Sequence, residues 1–251
     1  PDISSVYDVP VNFDKEHFGT LLLESLSLKS RVRRDGLERW KRFAHSVTTA
    51  EDEVQIGIVG KYFETGGFVL SDAYISVIEA LKHSAYALGL KPILSWLSAK
   101  DYEKEEKEVH GLQKYNGILV PGGFGETGIE GKIKAIRFAR ENKIPYFGLC
   151  YGMQLAVIEY ARNVLGLKEA NTTEIDKATP YPVIDIMPEQ KKVVAEGKYG
   201  ATMRLGAYPA HLKEGTIARS SYGAAEISER HRHRYEVNPD YIARLEKAGL
   251  V

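Results

Sequence analysis

Two rhythms of apolar residues run along this chain. Between residues 54 and 164, short continuous apolar runs alternate with stretches of helical period. Val54–Val59 (VQIGIV), Ile93–Leu97, Gly117–Val120 (GILV) and Ile144–Leu149 predict four buried strands. Between them, a helix is predicted from a cap at Asp72 to about Leu88. Its inward face is Ile75, Ile78, Ala80, Leu81, Ala85 and Leu88, and Gly89 is its stop. Further helices are predicted from Ile129 to about Asn142 and from Tyr151 to about Val164. Continuous apolar strands alternating with helices predict an α/β fold, a three-layer, doubly wound, mostly parallel sheet covered on both faces. Beyond about Pro180 the rhythm changes. Tyr181–Ile186, Lys192–Glu196, Thr202–Ala207 and Gly215–Arg219 read as antiparallel β additions, followed by a final helix from Pro239 to about Ala248.

The first 50 residues follow neither rhythm. Up to about residue 36 they read as irregular or short elements with a basic cluster, Arg31, Arg33 and Arg34. Leu37, Trp40, Phe43, Ala44 and Val47 then form one helical stripe. The polar stretch from Thr48 to Glu53 reads as a linker. The expected division is therefore residues 1–50, a tail and linker helix, and residues 51–251, the main domain. The chain starts at Pro1 without a methionine and ends on Gly249-Leu250-Val251, and it reads as a fragment at both ends.

Composition narrows the function classes. Lys plus Arg and Asp plus Glu each number 34, so the formal net charge is zero and no nucleic-acid partner is implied. No apolar run reaches 18 residues and no signal peptide opens the chain, so no membrane partner is implied and a cytoplasmic location is expected. A single cysteine excludes an internal disulfide and marks a candidate nucleophile. No metal-ligand cluster stands out.

That cysteine lies in Gly148-Leu149-Cys150-Tyr151-Gly152, the form of a nucleophile elbow with Cys in place of Ser. A sharp strand-to-helix turn lifts the sulfur out of the sheet, and the helix N-terminus is expected to lower its pKa. The N–H of Tyr151 is placed to donate to an oxyanion. A second feature, Pro121-Gly122-Gly123-Phe124-Gly125, follows strand GILV and frees backbone donors for a ligand. It includes Gly123-x-Gly125-x-x-Gly128, a formal dinucleotide fingerprint. The acidic residue that fingerprint requires is missing, because the next strand ends at Cys150 and Glu141 lies in the helix. Gly131-Lys132 resembles the end of a phosphate-binding loop, but Ile133 stands where a magnesium-binding hydroxyl belongs. The densest polar run, Glu229 to Asn238, offers His233 as a general base or its arginines as an anion site.

Phe147-Gly-Leu-Cys-Tyr-Gly-Met-Gln154 resembles the cysteine elbow of class I glutamine amidotransferases, and Pro121–Gly125 resembles their oxyanion loop. Ser76–His83, Thr202–Gly206 and Arg230–Asn238 narrow the resemblance to the CTP synthase family. It is strong over residues 54–251 and weaker over the first 43, which are similar to the tail of that family's synthetase domain. The resemblance implies that Cys150 attacks the side-chain amide of L-glutamine, with Gly123 and Tyr151 as backbone oxyanion donors. Tyr151, Gly152, Met153 and Gln154 would line the glutamine site. Glu174 would hold the substrate's α-ammonium and Arg234 its α-carboxylate. Ammonia would pass to the synthetase domain, where ATP, UTP and Mg2+ are expected, with GTP as activator. A homotetramer is expected of the full-length enzyme.

Two departures qualify these implications. The family's catalytic base and its orienting acid lie in a His-Pro-Glu string downstream of the Arg-His-Arg-Tyr-Glu run, beyond Val251. His233 and Glu236 are therefore not assigned as that pair, and little turnover is expected of the chain alone. Thr127 stands where the family carries an arginine tied to GTP activation, so the resemblance does not carry that response over. A γ-glutamyl hydrolase or cysteine peptidase on the same elbow, and a non-catalytic regulatory module, are the competing readings. A dinucleotide-binding domain ranks last.

Overall fold

A computed structural model describes residues 3–29, 35–60, 74–123, 127–187 and 204–251. The chain divides into two compact units, Pro1–Ile56 with Val69–Ser95, and Gly57–Phe68 with Trp96–Val251. The first unit takes in the helix that follows the linker, because that helix shares an aromatic cluster with the N-terminal segment.

In the first unit, α1 (Val9–Lys15) and α2 (Phe18–Ser25) are short, as expected for this stretch. The helix α3 (Asp35–Thr49) carries the predicted stripe. The Arg31, Arg33 and Arg34 cluster lies outside the described residues. The strand β1 (Glu53–Gly60) runs across the division, and α4 (Ile75–Ala87) completes the unit. Tyr7 is the hub. Its ring meets Phe43 at 5.1 Å and His83 at 5.6 Å between centroids, and the Trp40 indole N–H donates to its carbonyl at 2.8 Å. Its hydroxyl donates to the Glu79 carboxylate. The predicted inward face of α4 is narrower than its pattern. Ile78 and Ala85 are buried, whereas Ile75 and Leu88, at the helix ends, are exposed along with Ala80. The proposed cap, Asp72, lies outside the described residues.

The second unit is built around the main sheet. With β2 (Lys91–Ser98), which also crosses the division, β3 (Gly117–Val120) and β4 (Tyr146–Gly148), the strand order is β2-β1-β3-β4. The pairing of β3 with β4 is parallel and sets Val120 opposite Gly148, the residue that leads into the elbow. A short helix α5 (Ala99–Lys104) and a 3-10 segment (Glu106–Lys114) fill the β2–β3 connection, where no element was predicted. The helices α6 (Ile129–Glu141) and α7 (Tyr151–Asn163) match their predicted spans to within a residue. They contribute Ala135, Ala139, Leu155, Ile158 and Ala161 to the core, all fully buried. Within α6, Arg140 donates to the buried carboxylate of Glu159 on α7 at 2.8 Å. Gly131 and Lys132 sit inside α6. A Cβ on Gly131 would stand 1.8 Å from the Ala99 carbonyl oxygen, so this glycine serves a close helix contact with α5, not a phosphate loop.

The remaining elements are β5 (Ala170–Thr172), β6 (Tyr181–Ile186), β7 (Arg204–His211), α8 (Ile217–Tyr222), β8 (Glu226–His233), β9 (Tyr235–Val237) and α9 (Pro239–Lys247). The fold is mixed α/β, with a mostly parallel central sheet and antiparallel additions. Two expectations are corrected. The pair β5–β6 is parallel, although β6–β9 and β7–β8 are antiparallel. The stretch Gly215–Arg219 is not a strand: the Thr216 side chain accepts the Arg219 N–H and starts α8. The predicted strand at 192–196 and residues 202–203 lie outside the described residues.

Candidate active site

The elbow is built by two glycines that permit contacts no other residue allows. A Cβ on Gly148 would lie 2.5 Å from the Gly152 carbonyl carbon, and one on Gly152 would lie 2.1 Å from the Val120 carbonyl oxygen. The backbone can therefore double back between β4 and α7. Leu149 N–H donates to Val120 at 3.0 Å, Gly152 N–H to Leu149 at 2.9 Å, and Gln154 N–H to Cys150 at 3.1 Å. The Tyr146 hydroxyl adds a bond to the Gly152 carbonyl at 2.8 Å. At the apex Cys150 adopts φ 52° and ψ −104°, a conformation that L residues rarely hold unless their surroundings impose it. Gly122 lies alongside, its place for a Cβ 3.5 Å from that of Cys150, while Gly123 faces open space.

A cavity of about 150 Å3 opens beside the sulfur. Of the residues expected at the site, Gly123, Cys150, Tyr151, Gln154, Glu174 and Arg234 line it. Gly152 and Met153 do not. Gly152 is spent on the Val120 contact, and Met153 faces outward, 39% exposed. Phe124 and Gly125 of the glycine loop lie outside the described residues. The structure adds two residues that the sequence reading did not assign, His233 and Tyr235.

Each wall has a support. Glu174 follows β5, where its N–H donates to the Thr172 hydroxyl at 3.2 Å, and Thr173 donates to Asp185 at 2.6 Å. Arg234 joins β8 to β9, and its carbonyl accepts the Met187 N–H at 3.1 Å. Gln154 donates to the Tyr235 carbonyl at 2.9 Å, which ties α7 to the start of β9, next to Arg234. His233 Nδ1 bonds the Tyr235 carbonyl at 3.0 Å, and its Nε2 meets His231 Nδ1 at 2.8 Å. Both ring nitrogens are thus engaged. Among the described residues no imidazole is hydrogen-bonded to Cys150.

The electrostatics differ from the expectation at one point. Loss of water around the sulfur pushes the Cys150 thiol above its ordinary pKa although the residue as a whole is exposed, the Tyr151 N–H opposes this, and the Glu174 carboxylate adds to the rise. The helix N-terminus does act on the sulfur, but burial outweighs it. Burial also raises the Glu174 carboxyl, and the nearby Arg234 guanidinium opposes that shift. The cavity therefore presents a nucleophile flanked by one acid and one cation. Among the described residues no group of three or more His, Cys, Asp or Glu could hold a metal ion, and no helix is long and apolar enough to cross a membrane.

The Glutamine amidotransferase class-I family matches residues 69–251, and the chain belongs to that family. Within it, the chain corresponds to the glutaminase part of CTP synthases. It is 50% identical over 250 residues to a CTP synthase of Thermococcus gammatolerans and 51% identical over 255 residues to one of Methanocaldococcus jannaschii. Those alignments cover 100% and 99% of this chain but 45% of each relative, so the chain spans about half the length of the curated relatives it matches. Among solved structures it is similar to the glutaminase domain of Trypanosoma brucei CTPS with bound acivicin. The TM-score is 0.70 and the identity 39%, covering 78% of this chain and 72% of that one.

Proposed function

We propose that this chain hydrolyses L-glutamine through a thioester on Cys150 and supplies the ammonia for ATP-dependent amination of UTP to CTP. The observation that carries the reading is the placing of the elbow nucleophile in one small cavity with Glu174 and Arg234. Free glutamine ends in an ammonium and a carboxylate, and these two side chains complement that zwitterion. The Cys150 thiolate adds to the side-chain amide carbon. The carbonyl oxygen becomes an oxyanion facing the Tyr151 and Gly123 N–H groups. Collapse breaks the C–N bond, ammonia leaves after protonation of the nitrogen, and the γ-glutamyl thioester remains. Water then adds to the thioester carbon and releases glutamate and the thiol. The Tyr151 N–H, which favours the thiolate at rest, supports this reading. Binding of ATP, UTP and Mg2+ belongs in this reading to the half of the relatives that the chain does not match. Thr127, exposed beside the glycine loop, lacks the charge that a guanidinium would bring to a GTP response.

Acivicin, a glutamine-like chloro-electrophile, tests the reading directly. Chloride displacement by a thiolate needs no proton delivered to a leaving group, so labelling does not wait on the full turnover machinery. Mass spectrometry should find one adduct, at Cys150, suppressed by excess glutamine and absent in Cys150→Ser. Glu174→Ala should raise the glutamine concentration for half-protection by about 10- to 100-fold, the worth of one charge-assisted contact. A folded sample that takes no label, or takes it regardless of glutamine, would exclude the reading.

A further inference from the structure

Lys132 is a buried cation that the reaction outlined above does not use. It sits in the first turn of α6, its N–H donates to the Gly128 carbonyl at 3.1 Å, and the residue is 3% exposed. An ammonium withdrawn from water is costly unless its surroundings compensate it. Part of that compensation is visible. Its Nζ lies 5.5 Å from the centroid of the Tyr151 ring, within the range of a cation–π contact. Tyr151 is itself buried, and it is the residue whose backbone N–H is bonded to the Cys150 sulfur. The root of the lysine is fixed as well. Its neighbour Gly131 is pressed so closely on Ala99 that α6 cannot slide along α5 there.

We propose that Lys132 is a positioning residue for the amidotransferase reaction, acting through Tyr151. Its ammonium seats the Tyr151 ring, which fixes the direction of the Tyr151 N–H at the elbow. A seated Tyr151 N–H in turn favours negative charge at the elbow. Two negative species form there in sequence, the Cys150 thiolate and the oxyanion of the glutamine adduct. The lysine thereby acts on the thiolate through the Tyr151 N–H, which opposes the desolvation and the Glu174 carboxylate that disfavour it. The second of these roles rests on the glutamine reading, whereas the first concerns the thiol alone.

The test follows alkylation of Cys150, the chain's single cysteine, by iodoacetamide as a function of pH. This reagent is neutral and small, so it reads the thiolate without needing a glutamine site. Lys132→Met should move the midpoint of reactivity upward by about half a pH unit and slow alkylation at neutral pH about threefold. Lys132→Arg, which keeps the charge, should stay close to the parent. A purely structural lysine would lower the melting temperature and leave the midpoint in place, and that result would overturn the proposal. Should Lys132→Met fail to fold, Tyr151→Leu keeps the ammonium and removes its seat. It must shift the midpoint in the same direction, and an unmoved midpoint sinks the idea. Acivicin labelling separates the two readings. A shifted iodoacetamide midpoint without glutamine-sensitive acivicin labelling keeps the thiol role of Lys132 and removes the glutamine function. The converse removes Lys132 alone.

Discussion

Gly152→Ala is expected to destabilise this protein by about 4 kcal/mol or more, the upper range for a single substitution. The added methyl would stand 2.1 Å from the Val120 carbonyl oxygen and 3.0 Å from its carbon, both backbone atoms of a fully buried strand. Backbone cannot step aside as a flexible side chain can. Relief would require β3 and α7 to part, and this would break the Gly152 bond to Leu149 and tilt the nucleophile. Thermal melting followed by circular dichroism should show a loss of about 10 °C or more. Gly19→Ala is the matched control. It lies in α2 with nothing within 4 Å of the new methyl, so the same chemical change should be neutral or stabilising by up to about 1 kcal/mol. Equal melting of the two variants would show that the elbow does not depend on this contact.

Cys150→Ser should remove the acivicin adduct completely and take ammonia release from glutamine, already slow in this chain, to the uncatalysed background. The hydroxyl replaces the thiol with little change in volume, so the melting temperature should stay near the parent value. Serine at the elbow would need a base to ionise it, and no imidazole is bonded to position 150 among the described residues. A sulfur can reach its anion unaided as pH rises; an alcohol cannot. Ammonia release by the serine variant at a rate within tenfold of the parent would show that the chemistry does not pass through position 150.

How much of this could be read from the sequence depends on what each segment hides. The elbow was legible because two glycines flank a cysteine at a strand–helix junction, and the structure makes both glycines obligatory. The strand Tyr181–Ile186 came out with its predicted bounds, and its centre, Val183 and Ile184, is fully buried. The strand β8 is different. Its residues, EISERHRH, are polar on both faces, so no period-2 contrast announces the ladder that sets Arg204 opposite His233. His233 went unassigned for another reason, because the resemblance puts the family's base downstream, and nothing in the sequence singled out Tyr235. The turn at Thr216 was misread as a strand because Ile217 and Ala218 are apolar, while the capping hydroxyl just before them was the stronger signal. Ile75 and Leu88 fit the helical period yet end up exposed, since periodicity gives direction but not how far a covering layer extends.

Cys150 holds its place at the elbow in a left-handed backbone conformation. At φ 52° and ψ −104° a residue with a Cβ is strained by about 1–3 kcal/mol, and glycine largely escapes that penalty. Fold stability and chemistry thus ask for different amino acids at one position. Any selection, natural or in the laboratory, that rewarded thermal endurance alone would drift towards glycine at 150 and erase the catalyst while improving the fold. A cysteine held in these angles costs the fold stability that glycine would restore, so the residue at 150 serves the chemistry at the expense of the fold.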